Sequence, residues 1–188
     1  MVGTTKRVLI IGRVAAVNHR VVAWLVERGY AAVGAAGEGA FPELDARDFD
    51  LVAIGAGVDA TTRAELKRRF QAQHPDVLLL DAYGPLAAEQ VEDALRRAEG
   101  VPRCLESLVV EDAGEWRQVR VAVVRPCRLQ LDVYRHHGSP EPDIMPVATA
   151  QVVAGTHLFA VARAWTGEGH MLILRTDDEV ELRRLFAG

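Results

Sequence analysis

The first hundred residues alternate short apolar runs with segments whose apolar residues recur every three to four positions. The apolar runs are 8–11, 30–33, 51–54 and 76–80. Such runs are typical of strands buried on both faces, and the segments between them, such as 14–28, place their apolar residues on one helical stripe. This alternation predicts an α/β domain over residues 1–100, built on a parallel, doubly wound sheet of the flavodoxin or receiver type. Residues 105–110 are a candidate fifth strand.

The period of the pattern changes after Gly100-Val101-Pro102. Apolar and polar residues now alternate one by one, as in 119–123 and 129–134. This alternation is typical of half-buried antiparallel strands. Further short strands, separated by turn residues, are expected at 148–153, 157–163, 170–175 and 180–186. The second half, 103–188, is therefore predicted to be a smaller antiparallel β-sandwich-like domain.

Local signals refine the helices of the first half. Thr62 and Glu65 have the spacing of a capping box and predict a helix start. Pro85 is suited to the first turn of a last helix. A weaker helix is expected around 42–47, and Lys67-Arg68-Arg69 is interpreted as a solvated helix face.

Composition and charge exclude several classes of function. The 188-residue chain has a formal charge of −4, with 49% apolar and 26% charged residues. Neither half is strongly basic, which disfavours a nucleic-acid partner. No apolar run approaches the roughly 18 residues of a membrane span, and residues 1–7 lack the regions of a signal peptide, so no membrane partner and a cytoplasmic location are expected.

The ends of two predicted strands carry the candidate binding residues. The first strand is followed by Gly12 and Arg13, and the third by Gly55 and Gly57. Ligands of open α/β sheets bind at the carboxyl ends of strands, so these residues are a candidate anion crevice in which Arg13 contacts the anion. The alternative is a tight turn with glycines at positive φ and a solvated Arg13. Dinucleotide binding is disfavoured because its fingerprint needs three glycines and 12–17 contains one.

The order of elements, together with Asp-Phe-Asp-Leu-Val at 48–52, resembles the receiver domain of bacterial response regulators over residues 5–98. In that family two acidic residues end the first strand and bind Mg²⁺, and a phospho-accepting aspartate ends the third strand. Gly12, Arg13 and Gly55 stand at those positions here, and Tyr83-Gly84-Pro85 lacks the lysine of the family's Lys-Pro turn. The resemblance therefore implies a pseudo-receiver that cannot be phosphorylated in the family's manner.

Two further resemblances were considered. Gly12-Arg13 and Gly55-Ala56-Gly57-Val58 are similar to small receiver-like proteins without an established activity. Receiver-like folds commonly pair through their last helices, which implies a dimer surface at Tyr83, Leu86 and the Val91/Leu95 side of the last helix. Residues 125–186 resemble immunoglobulin-like β-domains that cap or scaffold bacterial assembly and surface proteins.

The remaining chemically capable side chains have structural interpretations. His136, His137, Glu141 and Asp143 could form a metal cluster, but an exposed hairpin tip is favoured because a zinc site needs four preorganised ligands. His157 and His170 are interpreted as structural; the alternative is that they face each other across a sheet. Neither Cys104 nor Cys127 has a neighbouring histidine in sequence, and two cysteines are too few for a disulfide framework. No metal and no cofactor are therefore predicted.

These observations favour a non-catalytic regulatory or scaffolding protein that acts through protein–protein interaction, with a symmetric homodimer as one expected assembly. The alternative is a sensor of a small molecule, anion or nucleotide that uses the crevice at Gly12 and Gly55. An enzyme is disfavoured because no acid–base pair or nucleophile stands out. The protein partner is not identified by the sequence.

Overall fold

The computed structural model describes residues 5–136 and 141–185. The chain divides into two compact units, Met1–Glu99 and Gly100–Gly188. The turn Gly100-Val101-Pro102 thus lies at the start of the second unit.

The first unit contains one parallel sheet with the strand order β2-β1-β3-β4. Its elements are β1 (Arg7–Gly12), α1 (Ala15–Glu27), β2 (Ala31–Ala36), β3 (Leu51–Gly55), α2 (Ala60–Gln73), β4 (Leu78–Ala82) and α3 (Ala87–Ala98). Short 3-10 segments precede β3 and α3, at Glu38–Glu43 and Gly84–Leu86.

Both faces of the parallel sheet are apolar. Alternate residues of β1 and β3, such as Val8 and Leu9, point to opposite sides and enter separate clusters. One cluster contains residues of α1 and α3, and the other contains Leu66 and Phe70 of α2. Each such fully buried side chain contributes about 1.5–3 kcal/mol, which explains why these strands are continuous apolar runs.

The predicted fold class is wrong: the described chain is mostly β, not a doubly wound α/β fold of the flavodoxin or receiver type. Strands make up 44% and helices 28%, with three α-helices. The candidate fifth strand at 105–110 lies in an antiparallel sheet. The segment at 42–47 is not an α-helix, because only the 3-10 segment Glu38–Glu43 precedes β3. The physical reason is that alternating, hairpin-connected segments after residue 100 pair antiparallel, so the parallel sheet ends at β4.

The second unit consists of two antiparallel sheets. Its strands are β5 (Leu105–Ala113), β6 (Trp116–Val123), β7 (Cys127–Arg135), β8 (Asp143–Val152), β9 (Gly155–Ala162), β10 (His170–Arg175) and β11 (Val180–Arg184). The three-stranded sheet has the order β5-β6-β9, and the four-stranded antiparallel sheet has the order β11-β10-β7-β8.

One apolar core joins the two antiparallel sheets. Val119 and Val121 of the three-stranded sheet are fully buried in the same cluster as Leu129 and Leu131 of the four-stranded sheet. These four apolar positions point inward as the alternation predicts, whereas Asp132 and Tyr134, at the alternate positions of the second segment, are also buried. The opposite side of the three-stranded sheet is exposed, and its residues are described below.

Candidate functional site

The strand-end glycines that the sequence singled out do lie together. A Cβ added at Gly55 would be 3.3 Å from the Ile11 carbonyl oxygen and 3.7 Å from the Gly12 Cα atom. This closeness follows from the parallel pairing of β1 with β3, which sets Ile11 opposite Ile54.

The space beside Gly12 is filled by Asn18 of α1. A Cβ at position 12 would be 2.4 Å from the Asn18 Oδ1 atom. The Asn18 side chain is buried, and its Nδ2 atom donates a hydrogen bond of 2.8 Å to the Ala35 carbonyl of β2. Glycine at position 12 is therefore explained by the close packing of α1 on the sheet.

Gly55 and Gly57 belong to a compact turn between β3 and α2. The Ala56 N–H donates to the Ala82 carbonyl at 2.8 Å, and the Val58 N–H donates to the Gly55 carbonyl at 3.0 Å. Neither Gly55 nor Gly57 has a positive φ, so that part of the sequence interpretation is wrong. Gly57 has no atom within 4 Å of an added Cβ.

Arg13 is exposed and lies near a carboxylate. The Thr62 N–H donates to the Asp59 Oδ1 atom at 2.9 Å. A hydrogen bond from the Thr62 side chain is the main reason that the pKa of Asp59 lies below its usual value, with this backbone bond second and a smaller contribution from the charge of Arg13. Asp59 is therefore the N-cap of α2, and the capping box predicted at Thr62 and Glu65 is wrong. The carboxylate also offsets part of the positive charge with which Arg13 would attract an anion.

The predicted dimer surface at Tyr83 and Leu86 is not formed as expected. Leu86, Val91 and Leu95 are all buried in the core, so they cannot line a surface. Tyr83 is half-buried, and its N–H donates to the Gln90 Oε1 atom at 2.7 Å. Leu86 is an apolar residue that directly follows the proline turn, and its side chain packs inward.

His157 and His170 each lie within hydrogen-bond distance of a backbone carbonyl. The His157 Nε2 atom lies 2.8 Å from the Val153 carbonyl oxygen, and the His170 Nδ1 atom lies 2.9 Å from the Gly167 carbonyl oxygen. His157 is on β9 and His170 on β10, which belong to different sheets, so they do not face each other across a sheet. His137 lies outside the described residues. Among the described ones, no group of three or more potential metal ligands occurs.

The two cysteines are buried and poorly suited to nucleophilic chemistry. The pKa of Cys127 is raised to about 12, mainly by burial and secondly by a hydrogen bond with Cys104. The Cys104 Sγ atom donates to the Arg125 carbonyl at 3.5 Å. Because the thiolate is the reactive form, a raised pKa suppresses attack by Cys127 at neutral pH.

Glu179 is a buried carboxylate that sequence inspection missed. It accepts hydrogen bonds from the Leu105 N–H at 3.3 Å and from the Arg103 Nε atom at 3.1 Å, and a further one from the Cys104 N–H. These bonds fix the start of β5 to the turn before β11. The neighbouring acids Asp177 and Asp178 made this segment look like a solvated turn, so the sequence carried no signal of its burial.

Asp132 is another buried carboxylate. It is 2% exposed, and its Oδ2 atom accepts from Gln130 Nε2 at 2.8 Å and from Arg175 at 3.2 Å. Arg175 also donates to the Tyr134 hydroxyl at 2.8 Å. Gln130 and Arg175 thus compensate the buried charge of Asp132, and the ion pair holds β7 to β10.

The outer side of the three-stranded sheet presents three large apolar side chains to solvent. Val109 of β5, Trp116 of β6 and Leu158 of β9 are 40%, 51% and 59% exposed. Arg120 lies between Val109 and Leu158 in register and forms a 3.0 Å ion pair with Glu111. We refer to these five residues as the exposed face. Along each strand these residues alternate with inward-facing residues, and this alternation was the only sequence signal of the exposed face.

Comparisons with known proteins do not assign a family. No family model and no curated protein matches the chain. A GH3 beta-glucosidase from Bifidobacterium adolescentis aligns at 10% identity over 95% of this chain and 49% of that chain, with a TM-score of 0.31. The beta-glucosidase EmGH1 from Erythrobacter marinus aligns at 10% identity over 96% of this chain and 46% of that chain, with a TM-score of 0.37. The chain thus spans about half the length of these structures, and TM-scores this low do not establish a shared fold.

No helix among the described residues is both long enough and apolar enough to cross a bilayer.

Proposed function

We propose that the chain is a non-catalytic regulatory or scaffolding protein that binds another folded protein through the exposed face. The observation that carries this proposal is the exposure of Val109, Trp116 and Leu158 on one side of one sheet. Large apolar side chains gathered on a surface mark interaction sites, and tryptophan is enriched among the residues that dominate binding energy.

The charge of the exposed face favours a protein partner. Arg120, its one cation, is neutralised by Glu111 at 3.0 Å. Nucleic-acid binding depends on cations that neutralise phosphates, whereas protein interfaces combine apolar side chains with paired charges. A folded protein with an apolar patch of its own is the partner that fits this surface.

A non-catalytic role is supported by the engagement of the groups that could do chemistry. His157 and His170 lie within hydrogen-bond distance of backbone carbonyls, and the pKa of Cys127 is raised to about 12 mainly by burial. Asp132 and Glu179 are tied to basic side chains and backbone N–H groups. Each of these contacts restrains a side chain that general acid–base or nucleophilic catalysis would need to be available.

The proposal is tested by photo-crosslinking in cells that naturally produce the chain. A benzophenone amino acid replaces Trp116 in one variant and Val153 in the control, because Val153 is 67% exposed but lies between strands, outside the exposed face. A covalent protein adduct is expected at position 116 and not at position 153. The crosslinked partner is then purified, and its affinity for the parental chain is compared with that for Trp116→Ser.

Two results would overturn the proposal. One is an absence of position-specific adducts at 116. The other is equal affinity of the purified partner for the parental chain and the Trp116→Ser variant, since the face would then contribute nothing to binding.

A further inference from the structure

The second unit has four strands at the edges of its two sheets, β5, β9, β8 and β11, among the described residues. Edge strands expose unpaired backbone N–H and C=O groups and can therefore pair with other chains. Proteins block such pairing with charges, prolines, bulges or short strands. The four edges can be compared by these features.

Three of the four edges are protected. β5 contains Glu106, Glu111 and Asp112, and its register with β6 shifts between Leu105 and Ser107. β8 contains Pro146 and lies opposite a register shift in β7.

The third protected edge, β11, is only five residues long and contains one acid and two arginines. Each of these three edges therefore carries at least one feature that discourages strand addition.

The fourth edge, β9, has none of these features. Its sequence, GTHLFAVA, contains no Asp, Glu, Lys, Arg or Pro. It pairs with β6 over eight residues without a register shift and with no other strand of the described chain. Thr156, Leu158 and Ala160 are exposed along it. β9 is thus a regular, uncharged strand with one free edge.

We infer that β9 of one copy pairs antiparallel with β9 of a second copy, which joins two three-stranded sheets into one sheet of six strands. The inference goes beyond the proposed function, because it adds a second copy of the chain at the β9 edge and leaves the exposed face to the protein partner. An edge is complementary to its own copy when a two-fold axis runs through it, because each N–H then meets an equivalent C=O. Like charges that face each other across strands destabilise pairing, and β9 has none to oppose.

The geometry restricts the register of this pairing. Directly opposed residues of antiparallel strands share one face of a sheet. Leu158 points to the outer side and Val161 to the core, as their exposure shows. Leu158 must therefore lie opposite one of the outward positions 156, 158, 160 or 162 of the other copy. It cannot lie opposite 157, 159 or 161.

The first experiment measures self-association by sedimentation velocity over a wide range of protein concentration. The parental chain is expected to form a dimer, and Leu158→Lys is expected to raise its dissociation constant roughly tenfold or more, because it places a positive charge from each copy on the outer side of the new strand pair. Ala160→Lys tests the same edge if Leu158→Lys fails to fold by circular dichroism. The matched control is Val109→Lys, which adds the same charge to the same face on the protected β5 edge. It is expected to leave dimerisation unchanged.

Each other outcome overturns the inference. Loss of the dimer in both Leu158→Lys and Val109→Lys would indicate face-to-face packing. Retention in both would place the contact elsewhere. A parental chain that is monomeric at every concentration would exclude self-pairing, whereas the proposed function would still be judged by its own crosslinking test at position 116.

Cysteine crosslinking then determines the register. Single cysteines are placed at 156, 158, 160 and 162 and oxidised alone and in mixed pairs. Crosslinks are expected only in combinations that fit one common register. Crosslinks that appear equally in all combinations would reflect random collision and contradict a specific strand pair.

Discussion

The two antiparallel sheets contain the same sequence pattern in opposite environments. Val119-Arg120-Val121 in the three-stranded sheet and Leu131-Asp132-Val133 in the four-stranded sheet both place a charged residue between two buried apolar ones. The Arg120 side chain is 45% exposed, whereas Asp132 is 2% exposed. Strand alternation therefore fixes the side to which a residue points, while the surroundings of that side decide whether the residue is a surface charge or a structural ion pair.

This contrast predicts very different costs for removing the two charged side chains. Asp132→Ala is expected to lower the free energy of unfolding by about 3–5 kcal/mol, because it leaves the half-buried Arg175 without its carboxylate. Arg120→Ala is expected to change it by less than about 1 kcal/mol, since exposed ion pairs contribute little. Urea unfolding of both variants provides the measurement. Similar costs for the two would show that the sheets do not differ as described.

The adjacent acids Asp178 and Glu179 extend the comparison to two consecutive residues. Glu179→Ala is expected to cost about 2–3 kcal/mol, because it removes the acceptor of buried backbone N–H groups at the start of β5. Asp178→Ala removes an exposed partner of Arg125 and is expected to cost less than about 1 kcal/mol. Urea midpoints are compared at neutral pH, and an equal loss in both variants would contradict the assigned role of Glu179.

The same distinction explains how much the sequence could predict. Apolar periodicity identified the strands around Val8, Leu51 and Val119, because burial of these side chains requires it. The pattern did not reveal that Asp132 is covered or that Trp116 is exposed, since both depend on contacts between residues distant in the chain. The overall fold class was mispredicted because it was assigned from the βα alternation of the first half, whereas the strands of the second half make the described chain mostly β.

The candidate site was predictable only in part. Gly12 and Gly55 do meet, as the ends of adjacent parallel strands must. Asn18, which fills the space beside Gly12, gave no sequence signal because it lies on a helix stripe otherwise defined by apolar residues. The resemblance to response-regulator receivers stays a prediction, as does the anion-sensor alternative at this crevice.

Gly12 and Gly57 are two glycines near the ends of adjacent strands whose surroundings differ. Gly12→Ala is expected to destabilise the chain by about 1–3 kcal/mol, because the new methyl group meets the buried Asn18 amide. Gly57→Ala meets no atom within 4 Å and has no positive φ to preserve. It is therefore expected to be neutral or to stabilise by up to about 1 kcal/mol through the unfolded state.

Thermal unfolding with and without inorganic phosphate tests both interpretations of these glycines. The packing explanation predicts no phosphate-dependent rise in melting temperature for the parental chain. A rise that Gly12→Ala and Arg13→Ala both abolish would favour the anion sensor instead.

The smallest effect is expected at Asp45, an exposed carboxylate that contrasts with buried Asp132. The Arg47 Nε atom donates hydrogen bonds to the two Asp45 carboxylate oxygens at 3.1 and 2.9 Å. Hydrogen bonds from this side chain are the main reason that the pKa of Asp45 is lowered to about 2. Because the folded-state pKa lies below the ordinary value of 3.8, the ionised form stabilises the fold above that value, and this contribution is lost as the pH falls from about 4 to about 2. The difference in urea midpoint between the parental chain and Asp45→Asn should therefore be present at pH 6 and shrink below pH 4. Arg47→Gln should reproduce the same pH dependence, and a difference that stays constant down to pH 2 would show that the ion pair does not couple to folding.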